Sequence, residues 1–137
     1  FELPDDYDFS YFTDKEQKAF MLNSTPDGSY AGCPCGFIFE IEGKKIYHAG
    51  DTCLNSEIKT IGEIYAPEIS LLPIGGHYTM DIKQVIIASN WLNTQTVIPM
   101  HYNTFEAINV DVNLFEKEVK NINKNPVILK IGNTLDL

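Results

Sequence analysis

Three short stretches of this 137-residue chain carry side chains that can hold a cation or move a proton: "YHAGDTC" (47–53), "PIGGHYTM" (73–80) and "TVIPMHY" (96–102). In the first, Gly50 permits a sharp turn or a close backbone approach, and it delivers Asp51. A carboxylate can bridge two cations with its two oxygens, and Thr52 is placed to hydrogen-bond it from behind. The commonplace alternative is an Asx-turn or a helix N-cap for a helix beginning near Leu54. His101 ends an apolar run after Pro99 and Met100, so it is expected to be partly buried and oriented. Neutral imidazole is the commonest protein ligand for zinc, and the alternative is a core histidine bonded to a carbonyl. His77 follows Gly75 and Gly76 on what should be a mobile or tightly turned loop. It is a candidate ligand, proton donor or substrate contact, with an exposed loop histidine as its alternative. His48 precedes Asp51 by three residues and, since side chains alternate along a strand, is expected to point to the opposite face unless the turn intervenes, and is left outside the site.

The cysteines offer less. Cys33 and Cys35 in "GCPCG" could share one face, but structural zinc sites usually take four ligands, commonly with CxxC spacing. Small buried residues near a strand start are the plainer expectation. Thiol redox chemistry through the same pair is a weaker third idea.

The elements that must position these residues follow from the pattern. Residues 1–18 are acidic and aromatic without a clear period and form an N-terminal extension. "AFMLNS" (19–24) is a strand, and "TPDGSYAGCP" is a loop broken by Pro26, Gly28, Gly32 and Pro34. "GFIFEIEGKKIYHAG" reads as a β-hairpin, with Phe37, Phe39 and Ile41 alternating on one face and Glu42-Gly43 at the turn. Residues 54–65 are helical by spacing, with Leu54, Ile58, Ile61 and Ile64 or Tyr65 on one stripe. "ISLLPIG" (69–75) and "TVIPMH" (96–101) are buried strands. "MDIKQVIIASNWLN" is a helix capped by Thr79 or Asp81. "DVNLFEKEVKNIN" is another, with Val112, Phe115, Val119 and Ile122 facing inward. "PVILKIG" and "TLDL" finish as strands. Strands alternating with helices indicate an α/β layer, and Asp51, His77 and His101 each follow or end a strand. Ligands bind outside the carboxyl ends of strands in open α/β sheets.

Composition sets the outer limits. Apolar residues make up 44% of the chain, enough for one packed domain. A net charge of −9 repels a phosphate backbone and attracts a divalent metal, so no nucleic-acid partner is expected. No apolar run approaches about 18 residues, so no membrane partner is expected either. No basic stretch leads into an apolar one as in a signal peptide. Three cysteines without a secretion signal read as reduced thiols in a cytoplasmic protein. The chain starts at Phe1, as a fragment, a processed product or the second half of something longer would.

With "IYHAGDT", "LLPIGGHYTM" and "VIPMHYNTF" in this order, the chain resembles metallo-β-lactamase-fold hydrolases. It is most similar to the small bacterial branch of metal-dependent hydrolases related to the ascorbate-6-phosphate lactonases. The resemblance runs from about Ala19 to Leu137. It implies an αββα sandwich, of which residues 19–137 supply the C-terminal half: an α/β unit with one mixed sheet and helices on its outer face. It implies Asp51 and His101 as metal ligands and His77 on an active-site loop. The metal would be zinc, with manganese or iron as alternatives. The implied reaction is attack by a metal-bound hydroxide on a lactone, ester, amide or phosphoester of a small molecule.

The family's HxHxDH motif is not in this sequence, and Asn23 stands where the family carries another histidine. The alternative is therefore a non-catalytic fragment or pseudoenzyme module without a complete metal site. A half-sandwich also leaves the sheet's inner face, around Phe37, Phe39 and Ile41, without its partner. The chain is then expected to pair with its missing N-terminal half or with a second copy of itself.

Overall fold

The computed structural model describes residues 35–137. The extension over 1–18, the strand over 19–24 and the positions of Asn23 and Cys33 lie outside the described residues. The described chain is an α/β unit with one mixed five-stranded sheet and three α-helices.

Strands β1 (Phe37–Ile41) and β2 (Lys44–His48) form the expected hairpin, antiparallel with Phe37 opposite His48 and Ile41 opposite Lys44. The two turn residues both take positive φ, Glu42 at 51° and Gly43 at 78°. That is the geometry whose twist matches the flanking strands. Next come α1 (Ser56–Tyr65), β3 (Ile69–Pro73), α2 (Ile82–Leu92), β4 (Thr96–Met100), a 3-10 turn (Glu106–Ile108), α3 (Val112–Asn121) and β5 (Asn125–Pro126). From β2 to β5 the strands are parallel neighbours in chain order. Crossovers that step the same way along the sheet lay every helix on one face when all share the usual right-handed sense. One core results, between Tyr47, Leu72 and Val97 of the sheet and Ile58, Val85, Ala88, Leu92, Phe115 and Val119 of the helices.

Each helix starts at a polar side chain that satisfies a free amide. Asn55 accepts from Glu57 N at 3.0 Å, and Asp111 accepts from Asn113 N at 2.9 Å. Asp81, not Thr79, caps α2: its carboxylate takes Gln84 N at 2.9 Å while Gln84 returns a bond to Asp81 N at 3.1 Å.

Three expectations fail, each for a physical reason. The α1 stripe does not extend to Ile64 and Tyr65, which are exposed. The helix turns its buried side at Ile58 and Gly62, because Gly62 lies against α2 so closely that a Cβ there would sit 2.0 Å from Trp91 O. Hydropathy gives no weight to a glycine chosen for close approach. Residues 127–137 are not strands. Val127 N donates to Val97 O at 3.0 Å, but the next donor on that edge of β4 would be residue 99, and Pro99 has no N–H. The ladder stops there, and Ile131 is fully exposed. Finally, Cys35 is exposed rather than a small packed residue, and both it and Cys53 are free thiols.

The face opposite the helices is open along β1. Phe37, Phe39 and Ile41 are 53%, 46% and 46% exposed, with the two phenyl rings stacked at 6.0 Å. Towards the sheet centre Ile69 and Ile98 are buried, so the exposed apolar strip is confined to the β1 edge.

Candidate metal centre

The last rungs of the parallel ladder fix where the chain leaves the sheet. Ala49 N donates to Leu71 O at 3.0 Å, and Ile74 N donates to Met100 O at 3.0 Å. Directly beyond these rungs come Asp51, the Gly75-Gly76 turn and His101, all at the carboxyl edge of the sheet.

Asp51 and His101 meet there, fifty residues apart in sequence, with His101 Nε2 3.3 Å from Asp51 Oδ2. The aspartate side chain is 55% exposed and the imidazole 31%. The second ring nitrogen of His101, Nδ1, is buried without a hydrogen-bond partner among the described residues. Two of the three commonplace alternatives, the helix cap and the satisfied core histidine, therefore fail. Asn55, not Asp51, caps the next helix. His101 is not a satisfied core histidine. Thr52 does not support Asp51 as expected: its hydroxyl donates to Cys53 O at 3.1 Å and accepts from Asn55 Nδ2 at 3.2 Å.

Backbone geometry is unusual at both positions. Gly50 has φ of 66°, and a Cβ there would lie 2.8 Å from Cys35 O. His101 itself has φ of 53°, a left-handed conformation that costs a non-glycine residue about 1–2 kcal/mol. It is held there from the side. Gly75 lies so close that a Cβ would be 2.5 Å from His101 O and 2.9 Å from Ile108 Cβ. Beyond it, Asn103 clamps the loop by accepting from Val110 N at 2.6 Å and donating to Val110 O at 3.2 Å.

Gly76, with φ of 75°, makes a tight turn: Gly76 N donates to Met80 O at 3.0 Å and Thr79 N to Gly76 O at 2.6 Å. The loop is ordered by these bonds. His77 stands exposed on it, its ring edge-on to Tyr78 at 4.3 Å, and Tyr78 in turn lies 6.4 Å from Phe105. His77 is thus in an aromatic row with Tyr78 and Phe105, and among the described residues it does not complete a group of three metal donors.

A carboxylate oxygen and an imidazole nitrogen suit zinc, manganese or iron. The pair fits a divalent cation in donor type and in convergence, but it makes two of the three protein ligands that a catalytic zinc takes. Among the described residues no group of three His, Cys, Asp or Glu side chains is assembled to hold a metal ion.

Sequence reasoning missed one participant. His48 Nδ1 accepts from Gly50 N at 3.1 Å, so the ring engages the turn that delivers Asp51. The signal was there: an acceptor side chain two residues before a glycine can close a turn on that glycine's amide.

Fold and site together define an α/β sheet with a carboxylate–imidazole pair at the carboxyl edge of its parallel strands. The chain belongs to the beta-lactamase superfamily domain family, whose model matches residues 5–101. It is 53% identical over 90 residues to a UPF0173 metal-dependent hydrolase of Ignicoccus hospitalis, covering 65% of this chain and 39% of that protein. It is 43% identical over 134 residues to a UPF0173 metal-dependent hydrolase of Methanoregula boonei, covering 89% of this chain and 60% of that one. The structure superposes on Igni18, a metallo hydrolase from Ignicoccus hospitalis, with a TM-score of 0.72 and 44% identity over 82% of this chain and 48% of that chain. The chain spans about half the length of the curated relatives it matches. Among the described residues no helix is long and apolar enough to cross a membrane.

Proposed function

We propose that this chain is the part of a metal-dependent hydrolase that supplies Asp51 and His101 to a divalent cation, zinc before manganese or iron. The observation that carries it is the 3.3 Å approach of Asp51 Oδ2 and His101 Nε2 from separate loops, with His101 held in left-handed backbone. Backbone strain of that kind persists only where surrounding structure enforces it, and it clusters at functional sites. A cation bound there supplies Lewis-acid polarisation and a nucleophile at neutral pH. The chain's own residues aim the two donors, and His77, exposed on the adjoining loop, is placed to touch a substrate or pass it a proton. The substrate is a small molecule: a lactone, as for the ascorbate-6-phosphate lactonases, or another ester, an amide or a phosphoester. The relatives, named as metal-dependent hydrolases, support the same reading. Incubation with zinc followed by desalting and elemental analysis tests it. Wild-type protein should retain metal that Asp51→Ala loses; equal retention would remove Asp51 from the ligand set.

The pair's lack of a third donor among the described residues favours a second reading, a module that is non-catalytic by itself. Esterase, lactonase and phosphodiesterase screens should then be blank. Activity abolished by a chelator and by His101→Ala would exclude it.

The same proposal treats residues 1–18 as an extension and 19–137 as the C-terminal half of the sandwich. The strip of Phe37, Phe39 and Ile41 would be covered by the remainder of the fold or by a second copy of the chain. Light scattering behind a sizing column should give a mass above 15.5 kDa for the chain alone. A clean monomer that binds no hydrophobic dye would show that the strip needs no cover. The free thiols of Cys35 and Cys53 support a reducing, cytoplasmic setting.

A further inference from the structure

We infer that His48 is a positioning residue for Asp51, acting through the amide of Gly50. The strand ladder ends at Ala49, whose N–H is taken by Leu71 O at 3.0 Å. The next amide, Gly50 N–H, has turned away from the sheet and needs an acceptor of its own. His48 Nδ1 supplies it at 3.1 Å. From the other side, the Cys35 carbonyl leaves no room for a side chain at Gly50, since a Cβ would stand 2.8 Å from it. Gly50 is therefore fixed between the Cys35 carbonyl and the imidazole at φ of 66°.

Asp51 is the residue that depends on this. Its side chain is 55% exposed, and it does not cap the following helix. Thr52, which could have steadied it, is engaged with Cys53 and Asn55 instead. The direction in which the carboxylate leaves the backbone is then set by the residue before it. A donor pair that must converge on one ion tolerates only about 0.5 Å of error. His48 holds that tolerance without touching the ion. An accepting Nδ1 also fixes the neutral ring in the form protonated at Nε2.

The inference rests on the proposed function only for its consequence, since the positioning can be read without metal. In the metal-free 137-residue chain, imidazole nitrogen NMR should show His48 protonated at Nε2 and accepting at Nδ1. The His48→Asn variant places an amide oxygen where Nδ1 stands, whereas His48→Gln places it where Nε2 stands. Exchange of the Gly50 amide should be about five- to tenfold faster in the Gln variant and near wild type in the Asn variant, the factor one hydrogen bond supplies. The ring signals of His101, which sense Asp51, should shift in His48→Gln and return in His48→Asn. A side chain that mattered only for packing would not be rescued by Asn, the smaller of the two. The inference is overturned if wild-type His48 carries its proton on Nδ1, or if the His101 signals are the same in all three proteins. If zinc fails to bind the wild type while these signals behave as stated, the metal-site reading falls and the positioning role stands.

Discussion

The turn after β2 and the turn after β4 do the same job by different means. Each brings one donor to the carboxyl edge of the sheet, and each needs a residue in left-handed backbone. After β2 that residue is Gly50, which adopts φ of 66° without steric cost, so Asp51 is delivered relaxed and half exposed. After β4 the donor itself bends: His101 takes φ of 53° and is kept there by Gly75 pressed against its carbonyl. One turn separates conformation from chemistry and the other loads both on a single side chain. The second arrangement is stiffer but stores strain, and it makes the neighbouring glycine indispensable.

The larger loss is expected at Gly75. A methyl group there meets a backbone oxygen at 2.5 Å and Ile108 Cβ at 2.9 Å, neither the end of a flexible side chain. Gly75→Ala should cost about 2–3 kcal/mol, the upper range for overpacking, read as a lower urea midpoint. Gly50→Ala comes next. It combines left-handed strain with a 2.8 Å approach to Cys35 O at the exposed start of β1, where the chain has more freedom to yield. About 1–2 kcal/mol is expected from the same denaturation. An effect larger than that of Gly75→Ala would reverse the ranking of the two turns.

A smaller effect isolates the strain at His101. His101→Gly should be more stable than His101→Ala by about 1 kcal/mol, because glycine alone takes the left-handed conformation freely. The same pair of substitutions at Tyr102, which has no positive φ, should show the opposite order. The smallest effect lies at the other end of β2, where Lys45 N donates to Glu68 Oε2 at 2.5 Å. That backbone hydrogen bond holds the Glu68 carboxyl below its ordinary 4.5. A depressed carboxyl contributes stability above its unfolded pKa and loses it as pH falls through the folded one. Acid titration should therefore remove a small contribution beginning near pH 4.5 and complete below it, absent in Glu68→Gln.

Much of this was legible in the chain. The hairpin showed in the alternation of Phe37, Phe39 and Ile41 around Glu42-Gly43, and the pattern narrowed the α2 cap to Thr79 or Asp81, between which the structure selects Asp81. The convergence of Asp51 and His101 followed from both standing at the carboxyl ends of strands. What escaped depended on three-dimensional closeness or on a missing donor. Gly62 redirects α1 because it meets Trp91 of α2, twenty-nine residues further on. Pro99 ends the β4–β5 ladder, so an apolar run at 127–131 never becomes a strand. Strand alternation leaves His48 out, and its bond to the Gly50 amide lies in the turn, where alternation no longer applies. The strain at His101 has only a faint sequence signature: histidine is enriched at positive φ among non-glycine residues, but most histidines still avoid it.

The central claim is that Asp51 and His101 hold one cation between them. A double-mutant cycle in zinc affinity, measured by calorimetry on wild type, Asp51→Ala, His101→Ala and the double variant, tests it most directly. Two ligands of one ion should be strongly non-additive: either single substitution should lose nearly all the affinity, and the second should add little. Losses that simply add, or affinity unchanged in either single variant, would mean that the two side chains approach each other without sharing a metal.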